Sequence, residues 1–154
     1  GRPDMAPTLF AKAIMKNEKI NVFNEGNMVR DFTYIDDIVD GIIRVLNKPA
    51  TSNADFDPLA PNPASSNAPY RIFNIGNGNP IPLMSFINAL EEALGVKAKM
   101  NMLPMQPGDI LATAADIELI KEWVEFQPNT HFQDGVFRFV EWYKNYYRHD
   151  FDES

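Results

Sequence analysis

An α/β fold is predicted by three features of this 154-residue sequence. Short β-prone runs alternate with amphipathic helical stretches along the chain. Hydrophobic residues at 45% and charged residues at 23% match an ordinary globular protein, which favours a packed core over disorder. No internal repeat points to a solenoid or propeller, and the length suits one domain with one core.

Ala6 to Asn17 places Leu9, Phe10, Ala13 and Ile14 at helical spacing, with Pro7 in the first turn, where its missing N–H costs nothing. Ile20 to Phe23 is a β-prone run. Glu25-Gly26-Asn27 supplies turn chemistry, and Val29 to Ile35 alternates apolar with polar residues, which predicts a second, short strand. Asp36 is placed to cap a helix through Ile38, Val39, Ile42, Ile43, Val45 and Leu46, stopped by Pro49, with Asp37 and Asp40 near its positive end. Residues 49–69 hold five of the twelve prolines and no apolar period, which predicts a mobile loop. Loop closure costs only about 0.6 kcal/mol per doubling of length, so a surface tolerates such an insertion. Arg71 to Ile75 reads as a buried strand, Leu83 to Leu94 as an amphipathic helix closed by Gly95, and Ala98 to Leu103 as a strand. Asp116 caps a short helix ending near Val124, and His131 to Tyr147 forms the last helix through Phe132, Val136, Phe139, Val140 and Tyr143. The strands are few and short for a sheet of their own, and the chain opens on Gly1-Arg2-Pro3-Asp4 without an initiator Met, so it reads as a fragment of a larger α/β protein.

Charge argues against nucleic acid as a partner. Lys and Arg number 14 against 21 Asp and Glu, a net charge of −7 and a pI of 4.7, the opposite of the basic face a duplex-binding domain needs. No run of about 18 apolar residues and no signal-peptide pattern occurs, so no membrane partner is expected and the cytoplasm is the expected compartment. The absence of cysteine removes disulfides, thiolate catalysis and Cys-zinc sites, and His131 and His149 lack metal-ligand spacing. Gly76-Asn77-Gly78-Asn79-Pro80-Ile81 lies between a strand and a helix. Ile81 stands where a dinucleotide fingerprint needs a small residue, and Pro80 removes an amide, so a structural turn with φ > 0 at the glycines is predicted in place of a cofactor site. No Tyr precedes a Lys by four positions, and neither G-x-S-x-G nor H-E-x-x-H occurs. The ligand chemistry that remains lies in Arg2, Arg30 and Arg71, whose planar forks suit phosphate or carboxylate. Arg2 and Arg30 stand in or just after loops, whereas Arg71 reads as a solvated strand residue.

The segments Gly1-Arg2-Pro3-Asp4-Met5-Ala6 and Arg30-Asp31-Phe32-Thr33-Tyr34-Ile35-Asp36-Asp37-Ile38 resemble the C-terminal part of the extended short-chain dehydrogenase/reductase (SDR) nucleotide-sugar epimerases, most closely the UDP-glucuronate 4-epimerases. The similarity continues through Tyr70-Arg71-Ile72-Phe73-Asn74-Ile75-Gly76, Leu103-Pro104-Met105-Gln106-Pro107-Gly108-Asp109 and Phe139-Val140-Glu141-Trp142-Tyr143. The R-D-F-x-Y-I-x-D segment is shared by many extended members, whereas the G-R-P-D-M opening together with M-Q-P-G-D is more specific.

This resemblance implies a Rossmann-related α/β enzyme of which residues 1–154 are the substrate-binding C-terminal region, the loop at 49–69 included. The N-terminal half, which binds NAD through a glycine-rich turn and carries a Tyr-x-x-x-Lys pair, is expected to lie outside the chain and to be its structural partner. The implied reaction is the isomerisation of UDP-glucuronate to UDP-galacturonate by transient C4 oxidation with NAD, in polysaccharide biosynthesis, by a homodimer. The fragment alone is expected to be inactive. By the same resemblance Arg30 matches the diphosphate-binding arginine, Asp109 the acid that accepts hydrogen bonds from the uridine ribose, the backbone at Val22 and Phe23 the segment beside uracil, and Arg2 an arginine near the sugar. Gln106 stands where many relatives carry a second phosphate-binding arginine. The alternatives are the same lobe of a decarboxylase, a dehydratase or a UDP-GlcNAc/glucose 4-epimerase, and a non-catalytic nucleotide-sugar-binding module. A chain cut from its Rossmann half is further expected to expose an apolar face along Ile72, Phe73 and Ile75.

Overall fold

The computed structural model describes residues 5–148. Its elements run α1 (Ala6–Met15), β1 (Lys19–Phe23), β2 (Val29–Arg30), α2 (Ile35–Asn47), β3 (Ile81–Pro82), α3 (Leu83–Leu94), β4 (Lys99–Leu103), α4 (Glu118–Val124) and α5 (Phe132–Tyr146). The single core expected from length is replaced by two compact units, each assembled from separated stretches: residues up to 30 with 80–113 and 131 onward, and residues 31–79 with 114–130.

In the first unit β1 and β4 pair in parallel, from Lys19 opposite Lys99 to Phe23 opposite Leu103. β1 alternates, so Ile20 and Val22 enter the core while Lys19 and Asn21 face out. Three helices complete that core, α3 packing against both α1 and α5. Ile14, Phe86, Ile87, Leu90, Val136, Val140 and Tyr143 fill it. The helix α3 has the predicted bounds, and Gly95 closes it with φ +73, a conformation that lacks strain only without a Cβ. Its buried Glu91 ties the helix to the start of β4, accepting the Ala98 N–H at 2.8 Å and the Lys97 ammonium. Burial alone would raise the Glu91 carboxyl, but the Lys97 hydrogen bond, the Ala98 amide and the Lys97 charge outweigh it and hold the group below its ordinary value.

Between β1 and β2 the chain passes through Asn24, Glu25 and Gly26 with φ of 49°, 52° and 80°. Asn tolerates this left-handed region, and the Asn24 amide donates to Asn27 O at 2.8 Å. Gly26 is required for room as well, since a Cβ there would sit 2.6 Å from Met84 Sδ. Exposed Glu25 has neither compensation. Replacing Glu25 with Gly is therefore expected to stabilise the chain by about 1 kcal/mol, partly offset by the greater freedom of Gly when unfolded. The measurement is a thermal melt, with a midpoint rise of about 2–4 °C; an unchanged or lower midpoint would show that the turn is relaxed.

In the second unit α2 forms where its apolar spacing predicts it, but the cap differs. The helix starts one residue early, at Ile35, with Tyr34 in the cap position and no side-chain cap bond, so Asp36 is a helical residue and not the N-cap. Asp37, 4% exposed, turns inward and accepts the N–H groups of Asn129 at 3.1 Å and Thr130 at 3.2 Å. Asp40 pairs with Arg44 at 2.7 Å, one turn along the helix. Ile120 and Phe126 are fully buried, and Ile75 and Phe126 close over Gly41, where a Cβ would meet both within 3.3 Å.

The predicted strand over Val29 to Ile35 is a ladder of only Val29 and Arg30, paired with Ile81 and Pro82. Arg71 to Ile75 is not a buried strand. Arg71 makes a single bridge to Ser65, and the residues beyond it have no strand to pair with. The apolar face expected along Ile72, Phe73 and Ile75 is consequently split. Ile72 points outward, while Phe73 lies 6.3 Å from the Trp123 ring and Ile75 packs on Gly41. The large exposed apolar surface of this unit is on α2 instead, where Ile35, Val39, Ile42, Ile43 and Leu46 are between 44% and 74% exposed.

Residues 49–69 carry no helix or strand and are held by local polar bonds. Asn53, Asp57 and Asn62 each accept the N–H two residues on, and Asn53 N–H donates to Ser66 O at 2.8 Å. Asp116 likewise accepts the Glu118 N–H at 3.1 Å, holding the first amide of α4 from one position before the Ile117 cap.

Candidate functional site

The parallel strands β1 and β4 end side by side at Phe23 and Leu103. The carboxyl end of a parallel pair is where an α/β sheet leaves room for a ligand, because the chains diverge there into loops. Beyond Leu103 the chain turns at Gln106-Pro107-Gly108-Asp109, where Asp109 N–H donates to Gln106 O at 3.1 Å and Gly108 has φ +89. Proline second and a positive-φ glycine third give the type II signature. The turn leaves Gln106 exposed and Asp109 half-buried, and the Asp109 carboxylate makes no hydrogen bond or ion pair among the described residues.

Arg30 is carried to the same loop by main-chain bonds. Val29 N–H donates to Leu111 O at 2.9 Å and Thr113 N–H to Val29 O at 3.2 Å, which fixes the segment two residues past Asp109 alongside β2. The half-buried guanidinium uses one nitrogen, Nη1, to donate to Val29 O at 2.9 Å and Leu111 O at 3.2 Å. Its Nε and Nη2 donors have no protein acceptor among the described residues and are available to an anion. Phe23 adds a half-buried ring at the strand end, whereas the Val22 side chain is wholly in the core, so only its main chain can meet a ligand. Arg2 and His149 lie outside the described residues.

The first unit thus carries Phe23 at the end of β1, Arg30 on β2, and Gln106 and Asp109 on the loop after β4: a ring, a cationic fork, an amide and a carboxylate. Groups of this kind suit binding and orienting a ligand, and they include no nucleophile with a base beside it. Among the described residues no three or more His, Asp or Glu gather to hold a metal, and no helix is long and apolar enough to cross a membrane. Sequence reasoning missed the Leu111 carbonyl, since a main-chain acceptor leaves no side-chain signature.

The Gly76–Gly78 turn belongs to the second unit. The Asp31 carboxylate accepts the N–H groups of Asn77 at 3.2 Å, Gly78 at 3.0 Å and Ala115 at 2.9 Å. A Cβ on Gly76 would collide with that of Ala115, and Gly78 has φ +68, so one glycine is needed for space and the other for conformation. Amides already given to a carboxylate cannot receive a pyrophosphate, and the negative Asp31 would repel one. The turn does not fit NAD.

Residues 1–76 match the model of the NAD dependent epimerase/dehydratase family. The chain is 48% identical over 148 residues to Protein CapI of Staphylococcus aureus, a match covering 96% of this chain and 44% of that protein. It is 44% identical over 149 residues to a probable UDP-glucuronate 4-epimerase of Rhizobium meliloti, with the same coverages. Among solved structures, the UDP-glucuronic acid 4-epimerase of Bacillus cereus, in complex with UDP-4-deoxy-4-fluoro-glucuronic acid and NAD, superposes with a TM-score of 0.75 at 27% identity, covering 95% of this chain and 41% of that one. The dTDP-glucose 4,6-dehydratase of Streptomyces venezuelae has a TM-score of 0.74 at 21% identity, which shows the fold alone. The chain spans about 44% of the length of these curated relatives.

Proposed function

Since this chain belongs to the NAD dependent epimerase/dehydratase family, we propose that it forms the UDP-sugar-binding wall of a UDP-glucuronate 4-epimerase. The observation that carries the reading is Arg30, held by Nη1 against the Leu111 carbonyl with its Nε and Nη2 donors unused among the described residues, beside the loop that presents Asp109. In this reading the fork takes the diphosphate, Asp109 accepts from the ribose hydroxyls, Phe23 and the Val22 main chain lie beside the base, and Gln106 offers an uncharged donor and acceptor at the phosphates. The resemblance assigns Arg2, which lies outside the described residues, to the sugar carboxylate. NAD and the groups that move protons belong to a part of the enzyme outside these residues, and no oxidation step is assigned to this chain. That same part covers the outward apolar face of α2.

A calorimetric titration with UDP-glucuronate and with UDP, repeated on Arg30→Ala and Asp109→Asn, tests the reading. Arg30→Ala is expected to weaken both ligands by about tenfold to a hundredfold, the worth of a lost charge-assisted pair. Tighter binding of UDP-glucuronate than of UDP would report that the uronate is also read. Equal affinities in wild type and Arg30→Ala, or no binding of either ligand, would remove the proposal.

A further inference from the structure

Arg71, one of the three arginines that the sequence offers to an anion, takes no part in the site above. It lies in the second unit, where Trp123 holds two cations at once. The Arg71 guanidinium carbon is 5.2 Å and the Lys48 ammonium 4.7 Å from the indole centroid. The indole cannot shift freely, because Trp123 Nε1 donates to Lys48 O at 3.1 Å, Lys48 Nζ donates back to Trp123 O at 2.6 Å, and Phe73 lies against the ring. Lys48 therefore spends one of its three N–H donors on the protein. The half-buried Arg71 guanidinium spends none: beyond its place over the indole it has no hydrogen bond or ion pair among the described residues.

The charges nearby are accounted for differently. Arg44, one turn before Lys48 on α2, is neutralised by Asp40 at 2.7 Å and also donates to the Val124 and Glu125 carbonyls, capping α4. Glu118 on α4 is met by Lys121. Lys48 and Arg71 are left with no carboxylate partner among the described residues, in a chain whose net charge is −7. Two like charges held near one ring repel each other, and contact with an aromatic face leaves the donors of a guanidinium unspent on protein acceptors.

The geometry points to a second anion site at Arg71, Lys48 and Trp123, one that takes a phosphate-class oxyanion. A dianion neutralises both cations, whereas a single carboxylate would leave one unmatched. The guanidinium supplies a bidentate fork and the ammonium a point charge, a combination that suits tetrahedral oxygens. The site is independent of the nucleotide wall, with which it shares no residue.

Trp123 is its own reporter, because the chain has two tryptophans and Trp142→Phe leaves it as the single indole. In that background, inorganic phosphate titrated at constant ionic strength against chloride is expected to change Trp123 emission saturably. Arg71→Ala is expected to weaken the response about tenfold or abolish it, with Arg71→Lys between the two. Arg30→Ala is expected to leave the response unaltered, whatever it does to UDP-glucuronate. No saturable change, the same change with chloride, a full response in Arg71→Ala, or its loss in Arg30→Ala would each overturn the assignment.

Discussion

Replacing Asp31 with Ala is expected to lower the unfolding free energy by about 3 kcal/mol or more, a large share of the 5–15 kcal/mol typical of a domain. Its carboxylate is the acceptor for three main-chain N–H groups, those of Asn77, Gly78 and Ala115, drawn from two stretches of chain far apart in sequence. Removing the acceptor leaves those donors facing one another with no oxygen between them, and each part-buried unsatisfied group costs about 1–3 kcal/mol. Solvent reaching the Gly78 amide recovers part of that, which is why the lower bound is used. Asp31→Asn is expected to lose less: its amide oxygen at the Oδ2 place keeps two of the three bonds, while its nitrogen sets donor against donor at the Asn77 N–H. Urea unfolding of both variants is the measurement; a loss below about 1 kcal/mol for Asp31→Ala would mean that the turn holds its shape without the carboxylate.

Phe126→Ala is expected to cost a similar amount, about 3–5 kcal/mol, by a different route. The ring is wholly buried and closes over Gly41 beside Ile75. Truncation leaves a cavity whose walls are a helix backbone and a branched side chain, neither of which can collapse far into it. The control is Leu59→Ala, at a residue 94% exposed, for which a change within about 0.5 kcal/mol is expected. The same denaturation series reads both. A loss at Phe126 no larger than at Leu59 would show that the second unit does not depend on this core.

The helices were legible because their signals are local. Leu83, Phe86, Ile87, Leu90 and Leu94 mark one face and Gly95 ends it, and no partner is needed to read that. The strand predicted over Arg71 to Ile75 failed for the opposite reason. Apolar, β-prone residues show that a segment fits a pleated surface, but a strand exists only where a second one lies alongside. Spacing also located the apolar stripe of α2 without revealing that it faces outward. The adjacent Asp36 and Asp37 are equivalent as capping signals, and a start one residue earlier decided that Asp37 would be buried under the Asn129 and Thr130 amides. At the candidate site, Arg30 was legible as an arginine just after a loop, whereas Asp109 and Gln106 were reached only through the resemblance to the epimerases. The carbonyl that anchors Arg30 is main chain, and the division of the molecule into two units depends on the return of residues from 131 onward to those at 80–113, which no local pattern encodes.

The triple bond set of Asp31 also bears on how the protein ages. Asn77-Gly78 is the one Asn-Gly step in the sequence, the dipeptide most prone to deamidate, because the nitrogen following the asparagine attacks its side-chain amide to close a cyclic imide. Closure needs that nitrogen to lose its hydrogen and swing toward the side chain. Here the hydrogen points at Asp31 Oδ2 and the preceding amide points at Oδ1. The carboxylate that shapes the turn is therefore expected also to slow its chemical decay, and stored Asp31→Ala protein to gain isoaspartate at residue 77 sooner than the parent chain.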